Sequence, residues 1–89
     1  MQNIKCLLVF TISDENLSSR IDEFCKLFKF EKEGDQSTRV SYVDQDVEEM
    51  HLQISTILSN STDKTDRVCL YFAEDSFIKR IELRPFHLV

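Results

Sequence analysis

The stretch from Ile4 to Ile12 is almost uninterrupted apolar sequence, rich in β-branched and aromatic residues. It is too short to span a membrane, and its makeup is that of a central strand covered on both faces. It has no small-residue cleavage site of the kind that ends a signal peptide. We therefore expect a buried strand in a cytoplasmic chain with no membrane partner. The rest of the sequence has to supply neighbours for that strand.

Ser13, Asp14 and Asn16 follow as helix-capping types, with Asp14 and Glu15 placed to complement a helix dipole. Leu17, Ile21, Phe24 and Phe28 then recur at helical spacing, with Cys25 and Leu27 widening the stripe. Phe30 to Glu33 and Thr38 to Val43 read as two short strands joined at Gly34, which supplies a positive φ. A second helix opens at Asp44 and Asp46, with Asp46 and Glu49 in capping-box spacing, and its stripe is Val47, Met50, Ile54, Ile57 and Leu58. A polar loop from Ser59 to Asp66 leads to a buried strand, Arg67 to Phe72. Glu74, Asp75 and Ser76 turn the chain into a last alternating strand, Phe77 to Leu83, which Pro85 ends.

Strand, helix, strand, strand, helix, strand is the order of the α+β ferredoxin-like βαββαβ fold, here with an extra C-terminal strand. With 89 residues, the chain is expected to form a single domain over residues 1–89. In such a fold both helices cover one face of the sheet. The other face must meet water, a ligand or a second copy. A short chain with spare edge strands favours a homodimer, and Phe77, Lys79, Ile81 and Leu83 are the expected interface. That last strand either extends its own sheet or crosses to the partner's.

Few residues point to chemistry. One glycine and one proline exclude collagen-like, linker-like and Gly-rich phosphate-loop chains. Cys6, Cys25 and Cys69 are widely spaced and odd in number, and read as buried reduced thiols. No nucleophile elbow surrounds any serine. His51 and His87 lack partners at metal or triad spacing and read as structural or surface residues. Asp44, Asp46, Glu48 and Glu49 lack the glycine and spacing of a calcium loop, and read as a solvated helix start. Asp14 has two readings: a helix cap, or an oxygen ligand for a divalent cation such as Mg, doubled across a two-fold axis.

Net charge is −5, so nucleic acid is repelled in bulk and any contact needs a local basic stripe. Basic residues are scattered, with Arg20, Lys26, Lys29 and Lys32 around the first helix, Arg39 in the hairpin, and Lys79, Arg80 and Arg84 at the end. Arg20, Lys26 and Arg39, doubled by a two-fold, are the candidates for following phosphates.

Three features carry a likeness to a known family. Leu8 to Asp14 resembles the opening strand of the Cas two family of CRISPR spacer-acquisition subunits, an apolar run ending in Tyr-Asp-Ile-Ser/Pro-Asp. Phe28-Lys29-Phe30-Glu31 stands where that family has an aromatic-Gly-apolar stretch. Arg67 to Phe72 and Ile78 to Leu83 resemble its fourth and last strands. The resemblance implies a homodimeric adaptor in antiviral defence, bridging integrase subunits and carrying duplex DNA. It also implies a first-strand aspartate that binds a divalent metal for phosphodiester cleavage, and that position is Thr11 here, a poor ligand and no base. Gln36-Ser37 is a faint echo of the family's Gln-x-Ser-Val-Phe. The expectation is a scaffold without nuclease activity. The alternatives are a ferredoxin-like regulatory or protein-interaction domain that does not touch nucleic acid, and a metal-dependent endonuclease using Asp14.

Overall fold

The computed structural model describes residues 3–85. Its elements are β1 (Cys6–Thr11), α1 (Glu15–Leu27), β2 (Glu31–Lys32), β3 (Thr38–Ser41), α2 (Val47–Leu58), β4 (Arg67–Glu74) and β5 (Phe77–Leu83). The strands form one five-stranded sheet in the order β2-β3-β1-β4-β5, every neighbouring pair antiparallel. This is the ferredoxin-like arrangement of an α+β protein, with β5 added beside β4 in its own subunit.

Local chemistry sets each helix boundary. Asp14 caps α1, its Oδ1 accepting from the amides of Asn16 at 2.7 Å and Leu17 at 3.2 Å. Asp46 caps α2 by accepting from the Glu49 amide at 3.1 Å. Glu49 does not reach back to complete a capping box; its carboxylate accepts from Gln53 instead. At the C-terminus of α1, Phe30 N–H donates to Cys25 O at 2.7 Å and Lys29 N–H to Lys26 O at 3.3 Å. These are the two bonds of a Schellman closure, and Lys29 takes the left-handed position at φ 59°.

Both helices lie on one face of the sheet. Against them stand Cys6, Leu8 and Phe10 of β1, Val68 and Leu70 of β4, and Leu83 of β5. Leu17, Ile21, Phe24 and Cys25 of α1 and Met50, Ile54, Ile57 and Leu58 of α2 complete the core. Each large aliphatic side chain buried here contributes about 1.5–3 kcal/mol. The expectation that β1 is covered on both faces is corrected. Leu7 and Val9, which point away from the helices, remain partly exposed, because no second layer lies on that side among the described residues.

The α2–β4 loop is tied to the end of β1 by Asp66, which is 1% exposed. Its Oδ1 accepts from the amide of Ser13 at 3.0 Å and its Oδ2 from the Ser61 hydroxyl at 2.6 Å. The β2–β3 turn places Gly34 at φ 74°. The β4–β5 turn is two residues long, and Asp75 sits there at φ 55°.

Candidate interaction site

The strand registers sort side chains between the two faces. Leu7, Val9 and Thr11 point to the uncovered face together with Val40 and Thr38 of β3. Arg67, Cys69, Tyr71 and Ala73 of β4 and Ile78, Arg80 and Glu82 of β5 share that face. The face has two chemical halves. Toward the β4–β5 turn it is apolar, with a shallow cleft lined by Ile4, Leu7, Tyr71, Ala73 and Ile78, of which Ile78 is 78% exposed.

Toward the other end it is cationic. Glu82 accepts from Arg84 at 2.9 Å and from Arg80 at 3.0 Å, and Arg67 stands 3.9 Å away. Hydrogen bonds from Arg84 and Arg80 hold the Glu82 carboxyl below the usual carboxylate range. Arg80 also donates to the Tyr71 hydroxyl at 3.2 Å and lies 5.9 Å from that ring's centre. Three guanidinium groups around one carboxylate leave a local excess of positive charge in a chain of net charge −5. Half-exposed, they remain open to an incoming anion.

Arg39 is not among them. Its partner across the ladder is Leu8, so its side chain enters the helix-covered side, where it is 5% exposed. There it donates to Asp22 of α1 at 3.1 Å and to the carbonyls of Gln36 at 2.6 Å and Thr38 at 3.1 Å, over the ring of Phe10. A guanidinium held in this way is structural and not free for phosphate. Arg20 and Lys26 are exposed on α1. Six residues apart, they diverge by about 120° around the helix. The expected stripe of Arg20, Lys26 and Arg39 is therefore not assembled within one subunit.

Asp14 has one carboxylate oxygen engaged as the α1 cap, and it faces the positive end of the helix dipole, which disfavours a cation. Thr11 pairs with Arg67 on the uncovered face. A divalent ion does not fit that pair of residues. Of the expected interface residues on β5, Leu83 is buried and Ile81 packs on the core of its own subunit, while Phe77 and Lys79 are exposed. The alternating apolar side of β5 is accounted for by α2 and the core, which leaves the outer edge of the strand free for a partner.

All three cysteines are free and buried. Burial pushes the Cys6 and Cys25 thiols up to about 11, so both are protonated at neutral pH. His51 is exposed, whereas His87 lies outside the described residues.

In sequence, the cationic cluster leaves only a faint trace. Arg80, Glu82 and Arg84 alternate along one strand, but Arg67 and Tyr71 join them only through the β4–β5 register. No family model matches the chain, and neither a curated protein nor a solved structure matches it.

Proposed function

We propose that this chain is a homodimeric scaffold that carries duplex DNA on the uncovered face of its sheet, in keeping with its resemblance to the Cas two family and without nuclease chemistry of its own. The observation that carries this reading is the grouping of Arg67, Arg80 and Arg84 on one open, flat surface of an otherwise acidic protein. Guanidinium groups are suited to phosphate because their planar donors match its oxygens. In this reading Arg67, Arg80 and Arg84 take the role that the sequence assigned to Arg39, and integrase subunits or other proteins occupy surfaces away from the sheet.

Fluorescence anisotropy with a labelled duplex at low salt tests it. Arg80→Glu with Arg84→Glu abolishes binding, whereas Arg20→Glu with Lys26→Glu leaves it nearly intact. Affinity falls with salt at a log–log slope of about −0.9 for each phosphate neutralised. No binding by the wild type at micromolar protein overturns the DNA reading.

A second reading is favoured by the apolar half of the same face, where Leu7, Ala73 and Ile78 offer a protein a dry contact. That reading makes the chain an interaction domain. It gains if the duplex is ignored and Ile78→Asp removes a protein partner that the wild type retains.

A further inference from the structure

β5 is an edge strand, and its outer side is paired with no strand among the described residues. A two-residue hairpin turn closes on a hydrogen-bonded pair, here Glu74 and Phe77, and hydrogen-bonded and open pairs alternate along the ladder from there. Phe77, Lys79, Ile81 and Leu83 therefore direct their N–H and C=O groups toward β4. Ile78, Arg80, Glu82 and Arg84 direct theirs outward. The free edge is long, contains no proline before Pro85, and begins with Phe77 and Ile78, which are 69% and 78% exposed. An edge of this kind is a template for another strand.

We propose that β5 pairs antiparallel with β5 of a second copy, in a register centred on Ile81, so that two five-stranded sheets join into one continuous sheet. The inference rests on the homodimer of the proposed function and specifies its interface. Charge selects the register. Two-fold pairings that keep five or more residues of β5 in the ladder are centred on Lys79, Arg80 or Ile81, and centring on Lys79 sets it opposite the partner's Lys79. Centring on Arg80 sets it opposite the partner's Arg80. Like charges directly opposite destabilise a ladder.

Centring on Ile81 sets Arg80 opposite the partner's Glu82 twice, once on each side of the axis. It also sets Ile78 opposite the partner's Arg84, Lys79 opposite the partner's Leu83, and Phe77 opposite the partner's Pro85. The Arg80–Glu82 pair already present within each subunit then becomes half of a four-membered ring of alternating charge. Because the two-fold axis runs perpendicular to the sheet, both arginine clusters come to lie side by side on the same open face. Dimerisation in this form doubles the phosphate-binding surface and places it at the centre of the assembly.

Cross-linking tests the register. Ile81 and the partner's Ile81 form an open pair, with Cα atoms about 4.5 Å apart, inside disulfide reach. Ile81→Cys under mild oxidation by oxidised glutathione gives a covalent dimer in high yield, and Arg80→Cys gives little. The buried native thiols make the wild type the blank. In sedimentation, Arg80→Glu shifts the dimer to monomer, and the double variant with Glu82→Arg restores it.

A wild type that is monomeric at high concentration overturns the homodimer itself. A wild-type dimer that cross-links through Arg80→Cys and not through Ile81→Cys overturns the register while leaving the homodimer standing. A dimer that neither variant cross-links, or that Arg80→Glu leaves intact, places the interface elsewhere and overturns the pairing.

Discussion

The guanidinium of Arg39 is surrounded by the ring of Phe10, the carboxylate of Asp22 and two backbone carbonyls. Removing it leaves those acceptors without a donor in a place water reaches poorly, and strips the ring of its cover. Arg39→Ala is expected to cost about 2–4 kcal/mol in a urea titration. Asp22→Ala costs less, about 1 kcal/mol, because Asp22 is half-exposed and water replaces it. Asp66 is a stricter case, since it is buried and binds Ser13 and Ser61 across the gap between β1 and the α2–β4 loop. Asp66→Ala is expected to cost about 2–3 kcal/mol, read from the same titration. Neither role shows in the sequence. The caps at Asp14 and Asp46 do show, because a cap and the amide it serves lie within three residues. Arg39 and Asp22 are separated by 17 positions, and only folding makes them a pair.

Among the elements, the end of α1 has the clearest local strain. Lys29 holds a left-handed backbone at φ 59°, a conformation in which its Cβ crowds the preceding peptide. The Cas two pattern has glycine at this point, and the closure formed here is the one that glycine serves best. Lys29→Gly is expected to raise stability by about 1 kcal/mol, and Gly34→Ala, at φ 74°, to lower it by a similar amount. Paired melting curves read both. The bounds of β5 were legible because a stretch that alternates over Arg80, Ile81, Glu82 and Leu83 lies between a turn and a proline. β2 was not legible at its observed length, because two residues carry no period and only the pairing of Glu31 with Val40 and Lys32 with Arg39 defines it. The continuous apolar run of β1 resembled a strand buried on both sides, since composition does not record whether the second cover comes from the same chain.

For the molecule as a whole, pH is the simplest probe. Asp35 is held below its usual range by the Ser37 amide and hydroxyl, Asp63 by the Thr65 hydroxyl and amide, and Glu82 by Arg84 and Arg80. A carboxyl whose pKa is lower folded than unfolded binds fewer protons in the native state. Its stabilising contribution is complete above the ordinary carboxylate range and disappears as pH falls through the folded value. The urea midpoint is therefore expected to drop as pH falls from about 5 through the ordinary carboxylate range and below it. Glu82→Gln flattens part of that slope. The fold class was legible from the order of elements, while the cationic surface needed the register of β4 on β5 before it existed as a surface at all.

The β4–β5 ribbon extends past its neighbour. β1 accompanies β4 only as far as Phe72, so Ala73, Glu74, Phe77 and Ile78 are paired with each other and with nothing on the β1 side. Amide protons at this tip should exchange with solvent well before those of Val68 and Leu70, which β1 holds from the other side. The ribbon is then a limb that melts from its end inward while the trunk stays folded.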